Sequence, residues 1–399
     1  VALAPNNAGA HLARAQVALR TRDCPVAEKH ARRSTELSPD VAEAWELLGT
    51  ALRFVGKHAG AETTLQKAAD IAPDRPSVAV QLRMLALEAG RVHEATDGLR
   101  EATRKFPTHA EAHQKLAYAL LHDDRATADD ILDAHAAWGR LVEQSVPDTG
   151  PRHALWLDRD PDRPLTVAYL SPDFREHSVA AFLLPLFEHH DRAAVRVLGY
   201  STNATTDAVT RRFEALADGW RPLHRATDDR LAEIAAEDRV DVLVELTGHF
   251  AMQRLAALAA RPAPVQVTYL GYPATTGLTR IDARLVDAAT DPEDLGPTAT
   301  ERLVRLDGCF LCFGGPLGDA DPDPTPPAVR TGRFTFGSFN NLKKVAPNVL
   351  DAWAAVLERS PGAALHLKGR GYDDPGVVER LNTEFESRGI DPGRVTVMA

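Results

Sequence analysis

Apolar residues obey two different spacings along the chain, and the change comes near residue 160. Ahead of it, alanines and leucines recur at helical intervals, and prolines at 5, 39, 73 and 107 stand 34 residues apart. A fixed period of that length predicts pairs of antiparallel helices stacked into a solenoid. The fullest copy runs from about Ala42 to Arg75 and carries Trp45, Leu48, Gly49, Ala61, Leu65, Ala68 and Pro73. Small residues let paired helices approach closely, bulky ones fill the groove between units, and proline ends a helix because it has no N–H to donate. The next copy keeps Leu82, Ala95, Leu99, Ala102 and Pro107. A fourth begins at Ala110 and loses its register between His122 and Asp130.

This period is that of tetratricopeptide repeats, arrays that bind extended peptides or proteins along a concave face, so a protein partner is expected. Val1 to Pro5 reads as the tail of one such repeat, so more repeats are expected ahead of it. A longer helical pattern with Ile131, Leu132, Trp138 and Leu141 runs from Asp130 to about Leu155. Pro147, Gly150 and Pro151 then mark a boundary.

Beyond the boundary, apolar runs of strand length alternate with helical stretches. Leu165–Leu170 reads as a buried strand, Ser171-Pro-Asp as a turn, and Val179–Phe187 as a helix. His177 thus falls past a strand end and close to a helix start, where reacting groups collect in open α/β sheets. Strands follow at Val195–Tyr200, Val240–Leu246 and Val265–Leu270, with helices at Asp207–Ala217, Asp228–Glu237 and Ala251–Ala260. Strands separated by helices imply a parallel sheet, and unbroken apolar runs imply that both its faces are covered. The turns Thr247-Gly-His249 and Gly271–Gly277 lie on the same expected ligand edge. Gly314–Arg333 has no periodic pattern and reads as a linker. A second α/β unit then begins, with strands at Phe334–Phe339, Ala363–Lys368 and Arg394–Met398 and helices at Pro347–Arg359 and Pro375–Arg388.

A formal charge of −10 argues against nucleic acid or an anionic membrane as the main partner. No apolar run is long enough to span a bilayer. There are three cysteines, Cys24, Cys309 and Cys312. The pair forms a lone C-x-x-C with neither a second pair nor a suitable histidine nearby, so zinc or redox chemistry is the minor reading and buried packing the main one. This usage fits a reducing, cytoplasmic setting.

Four blocks make the pattern specific: Tyr169-Leu-Ser-Pro-Asp-Phe-Arg-Glu-His177, Arg261-Pro-Ala-Pro-Val-Gln266, Leu270-Gly-Tyr-Pro-Ala-Thr-Thr-Gly277 and Phe336-Gly-Ser-Phe-Asn-Asn-Leu-Lys-Lys344. In this order, after the repeats, they resemble the O-linked N-acetylglucosamine transferase family, especially its bacterial members. The resemblance implies a two-lobed GT-B glycosyltransferase that moves N-acetylglucosamine from UDP to Ser or Thr hydroxyls of proteins, with inversion and with neither metal nor cofactor. It implies the division 1–129 repeats, 130–158 linking helix, 159–315 N-terminal catalytic lobe, 316–332 linker and 333–399 start of the C-terminal nucleotide-binding lobe. That second lobe is then incomplete, because the family's later nucleotide-binding stretch would follow Ala399. The partners implied are a UDP-sugar and an acceptor protein held along the repeats. Two alternatives stay open: a GDP-fucose donor, as in plant-type relatives, and an interaction scaffold with an incomplete catalytic part.

Residue by residue, the resemblance makes His177 the proposed base and Lys344 the pyrophosphate-contacting lysine. A histidine also suits proton transfer because imidazole titrates near neutral pH, although a helix-capping role is the plainer reading. With no metal, a fixed ammonium must stabilise the leaving diphosphate. Asn341 matches a phosphate-contacting amide, and Gly271, Tyr272 and Pro273 the donor loop. Of the adjacent lysines, Lys343 is expected to point away from Lys344, leaving one of them solvated. Ala274 stands where glycine is usual, and Ala235 and Ala236 where animal members carry a second active-site histidine.

Overall fold

The computed structural model describes residues 5–21, 23–148, 160, 162–315 and 323–398. They form two compact units, Val1–Ala126 with Pro322–Ala399, and Thr127–Asp321.

The first unit opens with seven helices: α1 Ala8–Arg20, α2 Cys24–Leu37, α3 Ala42–Phe54, α4 His58–Ile71, α5 Pro76–Glu88, α6 Val92–Lys105 and α7 Ala110–Leu120. Pro39, Pro73 and Pro107 each follow the residue that caps α2, α4 or α6, so the 34-residue period marks helix ends. Within α3 and α4 the pairing depends on Gly49, where a Cβ would lie 2.6 Å from Leu65 Cγ. The expected repeat tail at residues 1–4 lies outside the described residues.

The second unit begins with α8, Ala128–Ser145, started by a reciprocal Thr127–Asp130 capping box. It stops ten residues short of the expected Leu155. Val146 is extended (φ −117°) because it precedes Pro147, which disfavours the helical region. Gly150, Pro151 and Leu155 lie outside the described residues.

Next come β1 Leu165–Ser171, α9 Ser178–His189, β2 Val195–Ser201, α10 Ala208–Leu216, β3 Gly219–Pro222, α11 Asp228–Glu237 and β4 Val242–Glu245. Then follow α12 Leu255–Ala259, β5 Val265–Tyr269, β6 Ala283–Asp287 and β7 Arg302–Leu306. All seven strands are parallel, in the order β3-β2-β1-β4-β5-β6-β7. The order reverses between β1 and β4, which creates a topological switch point there. The core beneath it joins Tyr169, Phe174, Leu183, Phe187, Phe213 and Leu246.

Three strands, β3, β6 and β7, were not expected. Each contains arginine, which breaks the apolar run. In β6 the buried Arg284 is neutralised by Asp291 at 2.9 Å. The helix expected at Ala251–Ala260 shrinks to α12, since Met252 takes φ 66°.

The chain then returns to the first unit. A short helix, α13 Pro327–Thr331, forms inside the expected linker, with Pro327 at its first position; residues 316–322 lie outside the described residues. β8 Thr335–Ser338, α14 Pro347–Arg359, β9 Ala364–Lys368, α15 Pro375–Ser387 and β10 Val395–Met398 follow, with a parallel sheet ordered β10-β9-β8. This part is bonded to the repeats. Arg380 donates to Ala89 O at 2.9 Å, Asn348 N to Asp124 Oδ2 at 3.2 Å, and Arg370 to Phe54 O.

Candidate active site

At the switch point, β1 delivers the Pro172–His177 turn and β4 the Leu246–Phe250 turn. The first is held from outside: Asn203 Nδ2 donates to Pro172 O at 3.1 Å, and Glu176 N donates to Asp207 Oδ2 at 2.7 Å. His177 is the N-cap of α9, its Nδ1 accepting from Val179 N at 3.3 Å. The plainer reading, a capping histidine, is therefore realised. Yet the same Nδ1 stands 3.6 Å from Asp173 Oδ1, and the ring is about a third exposed. Burial raises the Asp173 pKa, against the pull of His177 and Arg175.

The second turn rests on Glu245. Its Oε1 accepts from Thr247 N at 2.5 Å and Gly248 N at 2.7 Å, and Oε2 accepts from Thr268 Oγ1 at 3.0 Å. Glu245 is fully buried, and that desolvation pushes its pKa up to about 7 against these hydrogen bonds.

The loop after β5 is built for close approach. A Cβ on Gly271 would lie 1.7 Å from Leu246 O, so only glycine lets this loop cross the end of β4. Leu270, just before it, is held at φ 66°, a conformation costly for a branched side chain. Tyr272 is buried, and its hydroxyl donates to His135 Nε2; Pro273 is exposed. At the far end, Glu301 accepts from Thr275 Oγ1 at 2.6 Å and Thr276 N at 2.7 Å. His249 turns inward, Nε2 facing Thr276 O at 2.8 Å and its ring against Trp138.

Asn341 and Lys344 belong to the first unit. Asn341 caps and Lys344 ends a one-turn 3-10 segment, Leu342–Lys344, and both are exposed. Lys343 leaves the same turn for the repeats, donating to the Tyr118 hydroxyl with its ammonium 5.0 Å from the ring centre. The solvated lysine is Lys344. The structure thus gathers His177, Gly271, Tyr272 and Pro273 on one unit, and Asn341 and Lys344 on the other.

Sequence reasoning missed Asp173, Glu245 and Glu301. A signal existed for Glu245: a lone carboxylate inside Val242-Leu-Val-Glu-Leu246. Cys309 and Cys312 are exposed thiols, which overturns their expected buried packing. They lie in the irregular loop past β7, where Phe310 is fixed by Tyr269 and Asp287 and the flanking cysteines turn outward. Among the described residues, His93, Asp123 and Asp124 could offer three metal-ligand atoms, but Arg125 already neutralises Asp123 at 2.9 Å. No helix among the described residues is long and apolar enough to cross a membrane.

The family model described as Glycosyl transferase family 41 matches residues 99–315, and one described as Tetratricopeptide repeat matches residues 12–76. The chain is 38% identical over 297 residues to the probable UDP-N-acetylglucosamine–peptide N-acetylglucosaminyltransferase SPINDLY of Arabidopsis thaliana, an alignment covering 73% of this chain and 32% of that protein. It is 28% identical over 204 residues to the UDP-N-acetylglucosamine–peptide N-acetylglucosaminyltransferase of Caenorhabditis elegans, covering 50% and 17%. The chain spans about a third of the length of the SPINDLY relatives it matches. Among solved structures, a mutant of the Thermobaculum terrenum O-GlcNAc transferase matches with a TM-score of 0.85 at 33% identity, covering 98% of this chain and 74% of that one. The chain belongs to glycosyl transferase family 41, and tetratricopeptide repeats precede its α/β part.

Proposed function

We propose that the protein to which this chain belongs transfers N-acetylglucosamine from UDP-GlcNAc to Ser or Thr hydroxyls of proteins, with inversion and without a metal or cofactor, in the cytoplasm. The observation that carries the reading is His177 at the switch point, with Asp173 Oδ1 3.6 Å from its Nδ1. Two tautomers are open to this ring. With Nδ1 accepting from Val179 N, the proton sits on Nε2 and the ring only caps α9. With Nδ1–H turned to Asp173, Nε2 is free to accept a proton.

In the second state the acceptor hydroxyl attacks the anomeric carbon from the face opposite UDP. Its proton passes to His177 Nε2, and the electrons of the breaking C–O bond pass to the diphosphate. Lys344, exposed and without a side-chain hydrogen bond among the described residues, supplies the charge that stabilises the departing diphosphate. Asn341 adds an amide to the phosphates, and Gly271, Tyr272 and Pro273 are the donor-loop residues that the family resemblance assigns. The acceptor protein lies along the repeats.

Calorimetric titration with UDP and then GDP, in the parent and in Lys344→Ala, tests this. UDP binding that weakens at least tenfold in the variant is expected. Preference for GDP would replace the donor by a GDP-sugar such as GDP-fucose, and absence of binding to either, in this chain and in a C-terminally extended one, would favour the scaffold.

A further inference from the structure

The first unit contains a cavity of about 190 Å³ between the repeats and the turns that leave β8 and β9. Arg53, His58 and Glu88 wall it on the repeat side, at the ends of α3 and α5 and the start of α4. Asn341, Lys343 and Arg370 wall it on the other side, just past the carboxyl ends of β8 and β9. That is the edge of a parallel sheet at which ligands gather.

Charge around this space is unbalanced. Arg53 pairs with Glu88. Lys343 donates to the Tyr118 hydroxyl and Arg370 to the Phe54 carbonyl, both neutral acceptors. Three fixed cations therefore face one carboxylate, and two positive charges have no counter-charge in the wall. One polar atom is also left over: His58 Nδ1 is buried and has no hydrogen-bond partner. Its ring is held close to Gly371, where a Cβ would lie 3.1 Å from His58 Cε1. Buried polar atoms without partners are rare enough in folded proteins that each calls for an explanation, and an unseen ligand is one.

We propose that this cavity binds a phosphate-class oxyanion, either inorganic phosphate or a phosphate monoester. A tetrahedral oxyanion presents acceptor oxygens in several directions at once. It can therefore receive guanidinium, ammonium and imidazole donors that converge from separate walls, whereas a carboxylate offers two oxygens in one plane. A bound anion would also brace the turn whose next residue is Lys344. The proposal stands independently of the transferase reading, because its donors are Lys343, Arg370 and the repeats.

The test is a titration of the whole chain with inorganic phosphate, following the His58 ring signals by NMR, with His58→Asn identifying them. A saturating shift is expected. Affinity should fall at least tenfold in Arg370→Gln, an exposed position, and in Lys343→Met, with the far-UV circular dichroism of the parent retained in both. Arg230→Gln, the same loss of charge at an exposed arginine outside the cavity wall, should leave affinity unchanged. O-phosphoserine binding more tightly than phosphate would identify a phosphorylated side chain as the occupant; the reverse order would identify the free anion. A shift that never saturates, an equal loss in Arg230→Gln, or displacement of phosphate by equimolar UDP would each overturn the proposal.

Discussion

The Tyr272 hydroxyl donates to Nε2 of His135 at 2.9 Å, tying the loop after β5 to helix α8 across 137 residues of sequence. The partner at the other ring nitrogen fixes the direction of this bond. His135 Nδ1 lies 2.6 Å from Ile131 O, so Nδ1 carries the proton and Nε2 accepts. Burial keeps the ring neutral and lowers its pKa to about 4.

Removing the hydroxyl should therefore cost more than one exposed hydrogen bond. Tyr272→Phe leaves a buried imidazole nitrogen without a donor, and urea unfolding should show a loss of about 1–3 kcal/mol. The neutral ring also sets a sign. His135 binds its proton in the unfolded chain near pH 6.5 but in the fold only near pH 4, so its contribution is complete above 6.5 and is lost as pH falls through that window. A loss below 0.5 kcal/mol for the variant at pH 7.5 would mean that water replaces the hydroxyl.

Glu245 has the opposite dependence. Its folded pKa of about 7 exceeds its ordinary 4.5, so the stability it contributes is present below 4.5 and is lost as pH rises through 7, by about 1.4 kcal/mol per pH unit for one proton. Glu245→Gln mimics the protonated carboxyl: one oxygen still accepts from Thr247 and Gly248, and the amide can donate to Thr268. Urea midpoints should match the parent at pH 5 and exceed it at pH 8. A parent more stable than the variant at pH 8 would refute this account.

Close crossing of α8 over the Gly271–Gly277 loop gives a steric prediction. A Cβ on Gly139 would lie 1.8 Å from Gly277 O, so Gly139→Ala must displace helix or loop and should cost about 3 kcal/mol or more. Gly60→Ala in α4, with its nearest neighbour 3.7 Å away, should instead stabilise by up to about 1 kcal/mol. Thermal midpoints of the two variants, moving in opposite directions, check both.

Capping and proton transfer by His177 can be separated. Asparagine is among the strongest N-caps, so His177→Asn should hold α9 as the parent does, while His177→Ala loses about 1 kcal/mol. In the whole protein, under the proposed transferase reading, turnover with an acceptor peptide should fall at least 100-fold in both. Turnover that follows stability, high in the asparagine variant and low in the alanine one, would leave His177 with the cap alone.

Most helices and the central strands were legible because their signals are local. The 34-residue prolines fell one residue past helix caps, and apolar runs such as Val195–Tyr200 became strands on the inside of the sheet. What was lost is non-local. β6 reads as too polar until Asp291 folds back on Arg284, and Glu245 looks like an intrusion until two backbone amides turn onto it. His177 could be placed at a strand end from sequence. Its two competing partners, Val179 N and Asp173, emerge only once the turn is folded. The outward cysteines were misread because burial was assigned by residue type, whereas a loop anchored through Phe310 decides it.

The bonds from Phe54, Ala89, Tyr118 and Asp124 to the C-terminal α/β part bear on how such a protein can change over time. Solenoids gain and lose whole units with little penalty, since each unit touches only its neighbours. Here the later units, α3 onward, also serve as a wall of another structure and hold the turn that carries Lys343. Their number and order are thus locked by a partner outside the array. Duplication or deletion of units is free only on the N-terminal side of α3, so relatives should vary in array length there and keep the inner units constant.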